Sequence, residues 1–188
     1  MDLIYFLLIP VALAAFVWFS YNSLVKLRLR VKEAWADIDV QLKKRYDLLP
    51  DLIETVRKAT AVDEQILTKI TELRSRAMED SAKGVNLQER AQVENQLSSM
   101  MRDVKVQVEA YPQIGSHQEL TNLMDKVTEI EEKIAYSRRF YNANVKDYNT
   151  QVAMFPSNIV AGVFNFSSEQ FFAANEAERE DIKVSFDK

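Results

Sequence analysis

Hydrophobic positions divide the chain into one continuous apolar run and a succession of helical stripes. Leu3 to Phe19 is apolar throughout, and Ser20 to Val25 extends it without a charge; Pro10 is the one breaker. As a helix rising about 1.5 Å per residue, such a run covers roughly 30 Å, the thickness of one hydrocarbon core. Rings that settle at headgroup level mark both ends: Tyr5 and Phe6 first, then Trp18, Phe19 and Tyr21. Pro10 fits because an early-turn proline forfeits little hydrogen bonding. From Leu24 the pattern changes to steps of three and four through Leu27, Val31, Trp35, Ile38, Leu42, Tyr46 and Leu49, one stripe down a helix. Lys26, Arg30, Glu33, Asp37, Lys43 and Lys44 occupy the other face. With no Gly or Pro between Ser20 and Leu49, anchor and first bundle helix read as a single rod, expected to stand the domain up from a membrane.

Pro50 interrupts that rod, and a kink is favoured over a hairpin because the stripe continues through Ile53, Val56 and Thr60. Thr60 and Asp63 have capping-box spacing ahead of a second stripe, Ile66, Leu67, Ile70, Leu73 and Ala77. Ser81 to Val85, with Gly84, reads as a loop. Asn86 and Glu89 open a third helix whose stripe is Ala91, Glu94, Leu97, Met101, Val104, Val108 and Tyr111, stopped by Pro112. Ser116 and Glu119 open a fourth, whose stripe runs Leu120, Leu123, Val127, Ile130, Ile134, Tyr141, Val145, Tyr148, Val152 and Phe155, with Ser137 in its gap, to Pro156. Its heptad-like rhythm is that of a coiled coil.

The expected fold is all-α: an N-terminal transmembrane helix continuing into an antiparallel four-helix bundle, with a short helical C-terminal segment. The expected divisions are an anchor at 1–22 (span about 3–22), a bundle at 23–155, and a C-terminal segment at 156–188. Alternation sends the fourth helix back toward the bilayer, where the sequence turns aromatic with Phe164, Phe166, Phe171 and Phe172 around Gly162 and a cap at Ser167 or Ser168. Glu176 to Asp181 is acidic and reads as a solvated helix end. Three roles fit the aromatic residues: capping the bundle end, touching lipid, or meeting a partner protein.

Composition narrows the classes. Three glycines and four prolines in 188 residues leave little turn chemistry for a β fold. A net charge of −4 argues against a nucleic-acid platform, which needs a concentrated basic face. The cations Lys26, Arg28, Arg30 and Lys32 instead follow the span, where they form a collar for anionic headgroups and place the bundle in the cytoplasm with the amino terminus outward. A cleaved signal peptide fits less well, because no positive region precedes the apolar run and the run continues past Ala12-Leu13-Ala14. Without cysteine there is no lipid attachment of the lipoprotein kind, no disulfide and no thiolate metal site.

Catalytic constellations find little support. His117 is the only histidine, and di-metal carboxylate bundles need Glu-x-x-His pairs from two helices. No serine sits in a glycine elbow, and glycines at 84, 115 and 162 are too scattered to cradle a phosphate. Glu129, Glu131 and Glu132 read as a solvated, ion-paired face, and Arg138 and Arg139 as surface salt-bridge donors. Tyr141-Asn142 and Tyr148-Asn149 repeat a dipeptide at one heptad and read as a polar ladder that fixes helix register. No catalytic residue, metal ligand or cofactor is expected.

Several stretches together resemble the LemA family of bacterial membrane proteins. They are the Tyr21-Asn22-Ser23-Leu24-Val25 segment, the run from Val31 through Trp35, Asp37 and Tyr46 to Pro50, Tyr111-Pro112, Arg138-Arg139-Phe140-Tyr141-Asn142 and Phe155-Pro156-Ser157-Asn158. The resemblance implies a single N-terminal span, an outward amino terminus and a cytoplasmic helical bundle in the bacterial inner membrane. It supplies no catalytic reaction; related members include magnetosome-membrane components linked to vesicle formation. At Ala61-Val62-Asp63-Glu64 the chain departs from the pattern, which has a His before the Glu, so no role of that histidine carries over. The expected function is a non-enzymatic scaffold or adaptor, with a membrane-shaping array as the alternative. Expected partners are the lipid bilayer, further copies of the chain and membrane or cytoplasmic proteins, with no nucleic acid.

Overall fold

A computed structural model describes residues 2–59, 63–109 and 118–173. Thr60, Tyr111, Pro112, Ser116, His117 and the acidic stretch from Glu176 to Asp181, all singled out above, lie outside the described residues. Five helices follow one another: α1 (Asp2–Ala59), α2 (Glu64–Lys83), α3 (Leu87–Glu109), α4 (Gln118–Ala153) and α5 (Ser157–Val163). Among the described residues there is no strand. The described residues form two compact units, one within 1–41 and 134–171 and the other within 42–133 and 172–173.

In the first unit the stripe of α1 is buried at Leu24, Val31, Ala34 and Ile38, and that of α4 at Ile134, Tyr141, Val145 and Tyr148. Trp35 meets the Tyr141 ring edge-on at 5.4 Å. Toward its C-terminus the expected α4 stripe fails: Phe155 is 78% exposed. The helix has ended at Ala153, and its last carbonyls are met by Ser157, whose hydroxyl lies 2.6 Å from Gln151 O and 2.8 Å from Met154 O. The Phe155–Pro156 peptide is cis. Helix α5 buries Ser157, Val160 and Ala161, and closes with Asn165 in the left-handed region at φ 55°. Asn165 N donates to Gly162 O and Phe166 N to Ala161 O, the paired bonds of a Schellman motif. Beyond it, 166–173 carries no helix, so neither Ser167 nor Ser168 starts one among the described residues.

That strap is held by its backbone. Asn149 Nδ2 donates to Glu169 O at 2.9 Å, while Glu169 N donates to Asn149 Oδ1 at 2.8 Å. Tyr141 Oη donates to Gln170 O at 2.9 Å. One residue of each Tyr-Asn pair, Tyr141 and Asn149, therefore clamps the returning chain, where the heptad spacing pointed to helix register.

In the second unit α1 continues through Pro50 without reversing. A proline has no N–H, so the carbonyl four residues before it loses its helical donor. Here Arg74 of α2 fills the gap, its Nε donating to Tyr46 O at 2.7 Å. Helix α2 starts at a different cap from the one expected: Asp63, not Thr60, holds the N-cap, accepting from Gln65 N at 2.9 Å. Its end also shifts, since 81–83 are helical and Gly84 alone turns left-handed at φ 64°. Asn86 opens α3 as expected, accepting from Gln88 N at 3.0 Å. The core of this unit comprises Leu42, Leu49, Leu52, Val56, Leu67, Ile70, Leu97, Met101, Leu120 and their neighbours.

Candidate functional site

Two features of the structure bear on function. The first is the apolar start of α1 and what gathers at its end. Leu8, Ile9, Val11, Leu13, Trp18 and Phe19 are each more than half exposed, and α1 alone among the described helices is long and apolar enough to cross a membrane. Pro10 is exposed within it. Near the end of the uncharged run, which closes at Val25, Tyr21 packs against Phe164 at 4.8 Å and Phe166 at 5.7 Å between ring centres. Lys26, Arg28, Arg30 and Lys32 follow immediately, all exposed, with Arg28 Nε 3.9 Å from a Glu169 carboxylate oxygen. Tyr5 and Phe6 lie on the α1 backbone ahead of Pro10.

The second feature is a buried charge network in the other unit. Arg45 of α1 is 1% exposed and Glu94 of α3 0%. One guanidinium nitrogen bonds Glu94 Oε2, while the other lies 2.8 Å from both Ser98 Oγ of α3 and Glu131 Oε1 of α4. Ser98 Oγ donates to Glu131 Oε2 at 2.7 Å, and the Tyr46 hydroxyl donates to Glu94 Oε1. Burial works against the Arg45 charge, but Glu131 and Glu94 outweigh it and hold its pKa above the ordinary value. Burial, then the Glu94 charge, pushes the Tyr46 hydroxyl up, so it stays a donor. With its ions turned inward and one carboxylate fully enclosed, this arrangement ties α1, α3 and α4 at one level.

Among the described residues no three His, Asp or Glu side chains gather to hold a metal. A shallow open groove between Arg57 and Glu79 has its ions paired with neighbours, Arg57 to Glu64 at 2.6 Å and Glu79 to Lys83. It is a solvated surface.

The sequence profile of the LemA family matches residues 34–186. The chain belongs to the LemA family. Among LemA-family relatives, Protein LemA of Metamycoplasma hominis is 23% identical over 183 residues, covering 97% of this chain and 82% of its own. Two magnetosome proteins of Paramagnetospirillum magneticum, MamQ 1 and MamQ 2, are each 21% identical over 184 residues, covering 86% of this chain and 68% of theirs.

In this LemA-family chain the four aromatic residues picked from the C-terminal segment separate. Phe164 and Phe166 join Tyr21; Phe171 is half exposed; Phe172 is 2% exposed in the core of the second unit, where Asn95 Nδ2 reaches the next carbonyl, Ala173 O, at 3.4 Å. Glu131 corrects the solvated reading of its cluster: it turns inward to Arg45 and Ser98, whereas Glu129 pairs with Lys133 at 2.5 Å on the surface. Arg138, read as a surface donor, is 9% exposed.

The missed network left a signal in the spacing. Ile38, Leu42, Arg45, Leu49, Leu52 and Val56 step alternately by four and three, which puts Arg45 on the core seam. Glu94 falls between Ala91 and Leu97, and Glu131 between Val127 and Ile134, at core positions of their own helices. One cation and two anions on three apolar stripes predict a buried cluster.

Proposed function

We propose that this LemA-family chain is a non-enzymatic, single-pass membrane-anchored scaffold or adaptor that offers helical surfaces to membrane-embedded or cytoplasmic proteins and self-associates there. The observation that carries the reading is α1 itself, which passes without a break from exposed apolar Leu8–Phe19 to the fully buried Leu24, Leu42 and Val56. Leaving a large apolar side chain in water forgoes about 1.5–3 kcal/mol, and six such residues in one run call for a hydrocarbon solvent. Four exposed cations after the run favour the cytoplasmic side for everything that follows, with the amino terminus outward across the bacterial inner membrane.

Pairings inside each unit support antiparallel helices. Arg57 meets Glu64 while Tyr46 meets Arg74, so α2 returns along α1. Ser98 meets Glu131 while Lys105 meets Thr128 at 3.2 Å, so α3 and α4 also run oppositely. In the first unit Trp35 meets Tyr141, and the Arg28 charge acts on Tyr148, two turns on in α4 and two turns back in α1. These are the alternations a four-helix bundle requires.

In-cell crosslinking with mass spectrometry tests the adaptor: other membrane or cytoplasmic proteins should be recovered on the exposed lysines, and recovery of copies of the chain alone would sink it. A membrane-shaping array is the second reading, favoured by the magnetosome proteins among the relatives. Electron microscopy of liposomes carrying the full chain separates the two, since an adaptor leaves vesicles smooth and a shaping array coats or deforms them.

A further inference from the structure

We propose that the α4–α5 elbow, Met154 to Phe164, is a second membrane-contacting element, lying in the headgroup–acyl boundary of the same bilayer that α1 enters. The proposal rests on the anchored reading of α1. Its first support is the elbow's outer surface. Met154, Phe155, Ile159, Val163 and Phe164 are 55, 78, 58, 70 and 46% exposed, while Ser157, Val160 and Ala161 are buried beneath them. A helix facing water carries charge on its outer side, but no Asp, Glu, Lys, Arg or His occurs between Asp147 and Glu169.

Position supplies the second support. Phe164 and Phe166 pack on Tyr21, four residues before the uncharged run of α1 ends at Val25, and exposed Trp18 and Phe19 lie one turn or less before it. One turn of helix is about 5.4 Å, within the roughly 5–10 Å that an interfacial element buries. Charge resumes at the same level on both sides of the contact: Lys26 and Arg28 on α1, and Glu169 on the strap, with Arg28 and Glu169 3.9 Å apart. The polar–apolar boundary of the anchor is thus also the boundary of the elbow. A bilayer is the occupant that fits a boundary shared by two separate stretches of chain.

The chain has no cysteine, so single labels can be placed without other changes. Phe155→Cys, Ile159→Cys and Val163→Cys variants of the full chain, nitroxide-labelled in phosphatidylcholine–phosphatidylglycerol vesicles, are compared with Leu13→Cys in the span and Val106→Cys on α3. Power saturation reads collision with oxygen, enriched in lipid, against a water-soluble nickel complex. The elbow labels are expected to give oxygen-to-nickel ratios several-fold above the Val106 label and on the side of the Leu13 label. Elbow ratios equal to that of Val106, with Leu13 still in lipid, would overturn the elbow and leave the anchor standing. A Leu13 label in water would remove the anchor and the elbow with it. Spin–spin broadening at the elbow that disappears on dilution with unlabelled chain would assign the face to a second copy and also overturn the proposal.

Discussion

Replacing Arg45 by Met should destabilise the protein far more than an exposed substitution two residues away. Arg45 is 1% exposed and Glu94 0%, so the variant leaves a carboxylate enclosed without its cation, whereas Glu131, with a side chain 24% exposed, keeps some contact with solvent. Removing one partner of a buried pair costs about 3–5 kcal/mol, because the remaining ion keeps its desolvation penalty and loses the attraction that offset it. At about 2–4 °C per kcal/mol for a chain of this size, the melting temperature should fall by roughly 6–20 °C. The assay is thermal unfolding of the full chain in detergent micelles, followed by far-UV circular dichroism. Lys43→Met, an exposed substitution on the same helix, should stay within about 0.5 kcal/mol of the parent. Adding Glu94→Met to Arg45→Met should recover part of the loss, since both desolvation penalties then vanish while the buried Tyr46 hydroxyl loses its acceptor. Two results would refute the reasoning: an Arg45→Met melt no lower than that of Lys43→Met, or a double variant no more stable than Arg45→Met alone.

Three further outcomes follow from particular contacts. Arg74→Met should cost about 1.5–3 kcal/mol, the worth of a hydrogen bond from a charged donor; in a Pro50→Ala background the restored backbone N–H competes for Tyr46 O, so a double-mutant cycle on melting temperature should return a smaller Arg74 effect. Burial, then the Glu169 charge, pushes the Tyr141 hydroxyl up to about 12, so the folded state holds this proton more tightly than the unfolded chain. Its contribution is intact below about pH 10 and is lost as pH rises from there through the folded value; melts across that range should fall less steeply for Tyr141→Phe. Asn149→Ala removes both bonds to the Glu169 backbone, about 0.5–1.5 kcal/mol each, and hydrogen exchange at the Glu169 amide should accelerate; unchanged protection would mean the clamp is not what holds the strap.

Much of the helical order was legible because apolar spacing reports which face a helix buries. The α1 stripe, the continuation through Pro50, the Asn86 cap and the left-handed Gly84 all follow from local rules. Other features depended on partners distant in sequence. Glu131 sits among surface glutamates and reads as solvated until Arg45, 86 residues away, is known to face it. The Tyr-Asn repeat looks like a helix-pairing device because heptad spacing is a pairing signal, yet Asn149 and Tyr141 hold an irregular segment whose own sequence has no period. Phe155 continues the α4 stripe on paper and is the most exposed of the large apolar residues among those described, because Pro156 ends the helix before the stripe can be used.

That misplaced Phe155 is where backbone chemistry and the membrane reading meet. A segment at the edge of hydrocarbon has little water to satisfy its amides, so its polar backbone groups must find partners within the protein. The elbow meets that condition: Ser157 sits on the Gln151 and Met154 carbonyls, Asn158 N donates to Met154 O, Ile159 N to Pro156 O, and the Schellman pair closes the far end. Apart from Asn158 its exposed side chains are apolar, and the backbone groups named here find partners within the chain. The strap that follows is built the other way, its backbone leaning on Asn149 and Tyr141, and there charge returns with Glu169. A turn built only to reverse the chain in water would have no reason to be uncharged from Tyr148 to Ser168. The switch from self-satisfied to clamped backbone falls beside Tyr21, which lies between the end of the apolar run of α1 at Phe19 and its first cation, Lys26, and this coincidence is what a bilayer surface at that level explains.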